Sequence, residues 1–173
     1  MSLTFEVKSA IREPWLPTKC LSLGQRRQGV GAPASYVCVS DADRPFLVIE
    51  LSFKQDESYC FSETLEWAGH IAIGWGHCVY IIDPYSAKEC ASISLDGYFG
   101  SFHATTDRLL VASASRVLCI LNNLSIAWKS PEVGIDGVVI SGIEGSLIAG
   151  KGEWDPPGGW KDFKLDIRTG AQL

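Results

Sequence analysis

Positive charge is in short supply in this sequence. Fifteen lysines and arginines meet twenty aspartates and glutamates, for a formal net charge of −5. A nucleic-acid surface needs a basic stripe, which here would work against the field of the whole chain. Long apolar runs are missing too, and none approaches the ~20 residues that a membrane-spanning helix needs. The opening Met1-Ser2-Leu3-Thr4-Phe5-Glu6-Val7-Lys8 has no basic segment leading into an apolar one, so no secretory signal is expected. Helical periodicity is absent as well: no long window repeats apolar residues at three- and four-residue spacing. Only Ser62–Trp67 has room for a turn of helix, which Gly69 limits.

Chemistry-bearing motifs are equally scarce. His70, His77 and His103 are the only histidines. His70 and His77 flank one strand and are an odd number of residues apart, so they point to opposite faces and do not make a zinc site. There is no Gly-x-Ser-x-Gly elbow. Ser101 and His103 would share a strand face, but no orienting acid can be assigned to them. The glycine-rich segment Gly24-Gln25-Arg26-Arg27-Gln28-Gly29-Val30-Gly31 lacks the Lys-Ser/Thr of a phosphate loop and reads as a surface loop with solvated arginines. No metal and no cofactor are expected.

The six cysteines are Cys20, Cys38, Cys60, Cys78, Cys90 and Cys119. Several sit inside apolar runs, as in Val37-Cys38-Val39 and Leu118-Cys119-Ile120, and read as buried free thiols. A chain of this length has no need of disulfide staples, so a reducing, cytoplasmic setting is expected.

What the sequence does have is a repeat. Ile71-Ala72-Ile73-Gly74-Trp75-Gly76 returns as Leu109-Leu110-Val111-Ala112-Ser113-Ala114 and again as Leu147-Ile148-Ala149-Gly150-Lys151-Gly152, at intervals of 38 residues. A fixed period of this size marks supersecondary units that bury their apolar faces against one another. Each copy runs through a tight connection into a second apolar strand, as in Tyr80-Ile81-Ile82-Asp83, Leu118-Cys119-Ile120-Leu121 and Phe163-Lys164-Leu165-Asp166. Turn residues follow at Asp83-Pro84-Tyr85-Ser86, Asn122-Asn123-Leu124-Ser125 and Asp166-Ile167-Arg168-Thr169-Gly170. Short apolar runs bounded by Gly, Asp, Asn and Pro predict about four strands per period.

The hairpin Leu147-Ile148-Ala149-Gly150 … Phe163-Lys164-Leu165-Asp166-Ile167-Arg168-Thr169-Gly170 resembles the β-propeller repeats of the quinoprotein and WD-repeat type. The resemblance covers roughly residues 65–173, with a degenerate copy over 36–63. The terminal Trp-Asp pair and the closing tryptophan of those families are absent, and only the last copy keeps Thr-Gly. No quinone-binding residue carries over. The implied fold is a single all-β domain of repeated antiparallel units near 36–69, 70–107, 108–145 and 146–173. It would be a small or incomplete β-propeller, with a β-sandwich or an open curved stack of sheets as alternatives. If the ring closes, Leu3–Val7 is expected to lie beside the C-terminal strands. If it stays open, its end sheets invite pairing with another chain, a homodimer included.

One segment looks made for display. Gly152-Glu153-Trp154-Asp155-Pro156-Pro157-Gly158-Gly159-Trp160 carries the seven residues by which the third copy exceeds its sisters. Rigid aromatic residues on a preformed loop lose little entropy on binding. Glu153, Trp154, Asp155 and Trp160 are therefore the candidate binding residues; the competing expectation is that Trp154 and Trp160 fold inward and cap the neighbouring hairpin. The expected function is non-enzymatic binding of a protein partner. An inhibitor or immunity-type protein steered toward a basic toxin is the specific form. The alternative is a glycosidase-like hydrolase using a pair of carboxylates drawn from residues such as Asp41, Asp43, Glu50, Glu66, Asp83 and Asp155.

Overall fold

A computed structural model describes residues 3–24, 33–52, 61–155 and 158–173. Every regular element among them is a β-strand. The first sheet holds β1 (Leu3–Lys8), β2 (Cys20–Leu23), β3 (Ser35–Asp41) and β4 (Arg44–Leu51), in the order β1-β3-β4-β2. Its edge strand β2 runs parallel to β4. The second sheet is a meander of β5 (Ser62–Trp67), β6 (His70–Trp75), β7 (Cys78–Asp83) and β8 (Lys88–Ser94). The third repeats it with β9 (Phe99–Ala104), β10 (Arg108–Ser113), β11 (Val117–Leu121) and β12 (Ile126–Lys129). The fourth has β13 (Val138–Glu144), β14 (Leu147–Trp154) and β15 (Gly159–Asp166).

The sheets stack in chain order, with an apolar layer between each pair. Val39, Leu47 and Ile49 meet Ile71, Ile73 and Tyr80. Ala72, Val79 and Ile81 meet Leu109, Val111 and Ile120. Leu110, Ala112 and Cys119 meet Ile148, Phe163 and Leu165. Strands β6 and β10 are thus buried on both faces, which explains why the repeated motif reads as an unbroken apolar run and not as an alternation. The two ends of the stack finish differently. Trp15, from the β1–β2 connection, covers Tyr36, Cys38 and Val48 on the outer face of the first sheet. The outer face of the fourth carries Lys151, Asp162 and Lys164, a charged surface suited to water.

The 38-residue period is written into the backbone bonding. The Leu95 N–H donates to the His77 carbonyl at 2.8 Å, and 38 residues on Val133 donates to Ser115 at 3.0 Å. Likewise Phe99 donates to Gly76 at 2.7 Å and Gly137 to Ala114 at 2.8 Å. These bonds tie the start of each new sheet to a hairpin turn of the sheet before it. The turns match as well. The Asp83 carboxylate accepts the N–H groups of Tyr85 and Ser86 at 2.9 and 3.3 Å, and Asp166 accepts those of Arg168 and Thr169 at 2.8 and 3.1 Å. First strands β1, β5, β9 and β13 follow one another along one side of the stack, β1 on β5, β5 on β9 and β9 on β13. The fold is all-β, built of repeated antiparallel units in four sheets, an arrangement consistent with a small incomplete propeller or a sandwich-like stack.

Two expectations are corrected. Ser62–Trp67 is no helical turn: it forms β5, paired with β6 along its whole length from Ser62↔Trp75 to Trp67↔His70. Its alternation of Thr64 and Leu65 with charged neighbours suits a strand at a sheet edge. Leu3–Val7 does not lie beside the C-terminal strands. It pairs antiparallel with β3, from Leu3↔Asp41 to Val7↔Val37. The segment 36–63 runs from β3 and β4 of the first sheet into Ser62 and Glu63 of the second, as 70–107 runs from β6, β7 and β8 of the second sheet into β9 of the third.

Cys38, Cys78 and Cys119 are buried, as expected of cysteines in apolar runs, whereas Cys20 and Cys90 are exposed. Burial pushes the Cys38 and Cys119 thiols above their ordinary range. Cys60 and residues 25–31 of the glycine-rich segment lie outside the described residues.

Candidate functional site

The seven extra residues of the third copy lengthen a hairpin and do not form a free loop. Strands β14 and β15 stay in register out to Glu153↔Trp160 and Trp154↔Gly159. Asp155 and Gly158 close the turn, with the Gly158 N–H donating to the Asp155 carbonyl at 2.6 Å. Pro156 and Pro157 lie outside the described residues.

This register separates the candidate residues. Neighbouring strand positions point to opposite faces, whereas directly paired positions share one. Glu153 and Trp160 therefore stand side by side, and Trp154 faces the other way. There the Lys161 ammonium lies over the Trp154 ring, 5.4 Å from its centroid. Asp155 is exposed at the tip. The structure brings two of the four candidates together and keeps the other two apart from them.

Glu153 and Trp160 line a cleft of about 350 Å³ at the junction of the last three sheets. Across it are Phe61, just before β5, Tyr98, just before β9, and Asp136 and Gly137, just before β13. The Phe61 and Tyr98 rings touch at a centroid distance of 5.7 Å and an angle of 40°. The Tyr98 hydroxyl donates to the Asp136 carbonyl at 2.5 Å, which fixes that ring. A run of backbone bonds holds the rest. Ala114 donates to Tyr98 at 3.0 Å, Gly137 to Ala114 at 2.8 Å, and Glu153 to Gly137 at 2.8 Å.

Gly137 lies at the meeting point of the cleft walls. A Cβ at this position would lie 3.3 Å from Cη2 of Trp160, 3.5 Å from Oε2 of Glu153 and 3.7 Å from Oη of Tyr98. Three side chains thus converge beside a position that has none. Phe61, Val139 and Trp160, 47%, 50% and 51% exposed, are large apolar side chains that line this cleft and stay open to water. Such clustering marks an interaction surface more than scattered exposure does. Among the described lining residues there is no lysine, arginine or histidine, whereas two, Asp136 and Glu153, carry carboxylates.

The carboxylates singled out in the sequence lie elsewhere. Asp83 caps its turn, Glu50 accepts the Ser22 hydroxyl at 2.6 Å, and Asp41 and Asp43 flank the β3–β4 turn. Ser101 lines the cleft, and His103 sits two residues along β9. Side chains so spaced are roughly 6–7 Å apart, beyond hydrogen-bond reach. The Glu63 carboxylate accepts the intervening Phe102 N–H at 2.8 Å. Burial pushes the His103 imidazole below its ordinary value, and the nearby Glu63 charge opposes that shift. His70 Nδ1 bonds the Ala68 carbonyl at 2.9 Å, and His77 is exposed in its turn.

Phe61, Tyr98, Asp136 and Gly137 were not singled out in the sequence. The period itself held the signal. Tyr98 and Asp136 are 38 residues apart, as are Phe99 and Gly137, and each pair opens a first strand. No helix is long and apolar enough to cross a membrane. No family model matches the chain, and no curated protein matches it.

Proposed function

We propose that this chain is a non-enzymatic protein-binding module whose partner presents a basic surface, in the manner of an inhibitor or immunity-type protein. The carrying observation is the convergence of Trp160, Tyr98 and Glu153 on the space above Gly137. Aromatic anchors in a preformed cleft, held by hydrogen bonds before any partner arrives, are the groups that concentrate binding energy. The net charge of −5 favours encounter with a basic partner. The stacked sheets, with first strands succeeding one another along one side, support reading the scaffold as a small incomplete propeller of the quinoprotein or WD-repeat type. Such a scaffold supplies a rigid frame rather than a reaction.

The test is panning of displayed random peptides on the wild-type protein, followed by binding of the winners to Gly137→Leu. Basic sequences should be enriched, and Gly137→Leu should lose them while still unfolding cooperatively. Enrichment of acidic or uncharged sequences, or equal binding to the variant, contradicts the reading.

A second reading rests on one specific observation: Asp136 and Glu153 line the same cleft, beside a tryptophan on which a sugar ring can stack. That is the outline of a glycosidase-like hydrolase. Turnover of aryl glycosides, abolished by Glu153→Gln, would favour it over the binding module.

A further inference from the structure

We infer that the cleft is a socket for one arginine side chain of the partner, an inference that rests on the protein-binding reading and gives it a chemistry. Its volume of about 350 Å³ lies at the small end of the ~300–1,000 Å³ typical of ligand pockets, which suits one long side chain and not a length of peptide. Its lining joins three aromatic residues, Phe61, Tyr98 and Trp160, to two acidic ones, Asp136 and Glu153. Aromatic faces attract cations through their quadrupole, and a carboxylate beside them supplies the countercharge.

The combination favours arginine over lysine. A guanidinium is planar and weakly hydrated, so it stacks on a ring at small desolvation cost. Its forked donors match a carboxylate in pairs, whereas an ammonium is a strongly hydrated point charge. Trp160, Glu153 and Tyr98 each come within 4 Å of where a Gly137 Cβ would stand, so a guanidinium seated beside Gly137 has a ring edge, a carboxylate and a hydroxyl as neighbours. Acidic guests would meet two carboxylates with no cation among the described lining residues to offset them. Purely apolar guests would leave Glu153 to be desolvated without a partner.

The probe is N-acetyl-arginine methylamide, titrated into the full chain while the tryptophan indole N–H signals are followed by NMR. The lysine and norleucine analogues and a phenyl glucoside serve as comparisons. Binding of the arginine probe should saturate with a dissociation constant on the order of millimolar and weaken as salt rises. Glu153→Gln, which keeps the shape and removes the charge, should weaken it about tenfold or more. Trp160→Ala should do the same with the wild-type melting temperature, and Gly137→Leu should abolish it while still unfolding cooperatively, with a lower melting temperature because its φ of 159° disfavours a side chain. Norleucine should not bind.

Equal binding of the norleucine analogue, tighter binding of the glucoside, or indifference to Glu153→Gln overturns the inference. So does absence of arginine binding. If the free probe fails while panned peptides still need an open Gly137, the arginine socket falls and the protein-binding reading stands. If both fail, both fall.

Discussion

Tyr98 and Asp136 stand one full repeat apart in the chain, and the hydroxyl of the first donates to the carbonyl of the second at 2.5 Å. One bond thus joins equivalent positions of neighbouring units, and it fixes an aromatic wall of the cleft. The repeat and the cleft use the same positions: where β9 and β13 begin, the chain places a residue outside the core. In two successive units that residue is Tyr98 and then Asp136.

The two hairpin tryptophans should separate in function. Trp160 lines the cleft at 51% exposure, whereas Trp154 faces away beneath Lys161. Trp160→Ala should weaken binding of a panned peptide by about 2 kcal/mol, some thirtyfold. Trp154→Ala should leave it within about twofold, since it touches none of the cleft. Isothermal titration of both variants checks this.

A partly buried hydrogen bond pins the third sheet to the fourth. The Trp128 indole N–H donates to the Ile167 carbonyl at 3.0 Å, much as Trp67 donates to Thr105 at 3.0 Å between the second and third. Trp128→Phe keeps most of the ring and removes the donor. It should cost about 1–2 kcal/mol of stability, as read by chemical denaturation. Binding of the arginine probe should persist, because Trp128 is not a cleft residue.

Glycines in the repeat should respond unequally to added bulk. A Cβ on Gly74 would run into the Phe99 ring of the next sheet, while Gly142 has nothing within 4 Å of its Cβ position. Gly74→Ala should destabilise by about 1–3 kcal/mol through overpacking. Gly142→Ala should be neutral or stabilise by up to about 1 kcal/mol by restricting the unfolded chain. Thermal melts of the two variants give the comparison.

Acid should loosen the turns and the loop network. The Ser86 hydroxyl and the Tyr85 N–H hold the Asp83 carboxyl below its ordinary value of 3.8. The Arg168 N–H does the same for Asp166, and the Lys129 ammonium for Asp96. A lowered folded-state value means the unfolded chain takes up protons first as pH falls. The stability these groups contribute is complete above about pH 4 and is lost below it. Melting temperature should therefore drop below about pH 4, and the drop should be shallower in an Asp83→Ala, Asp166→Ala double variant.

Much of this was legible in the residues. The motif Ile71–Gly76 and its two echoes marked the middle strands, most plainly β6 and β10, because strands buried on both faces leave an unbroken apolar run. Asp83 and Asp166 marked their turns, because a carboxylate two or three residues before an N–H can cap it. Strand β5 was less visible: Glu63 and Glu66 dilute an edge strand whose pairing is set by its neighbour. The pairing of Leu3–Lys8 with β3 was not legible at all, since strand partners are a matter of the whole topology. At the site, Glu153 and Trp160 stood out by composition, but their separation from Trp154 depends on a register that continues through the inserted residues. Tyr98 and Gly137 looked like ordinary residues at strand entries. Only the convergence of three sheets gives them a role.

Photo-crosslinking inside the native cell tests the central claim most directly. A photoreactive amino acid would replace Val139 at the cleft, and in separate proteins Tyr85 and Ile126, which are exposed elsewhere. The account predicts an adduct with another protein from position 139, lost when Gly137→Leu is added, and none from 85 or 126. Adducts from 85 or 126 without one from 139 would contradict it.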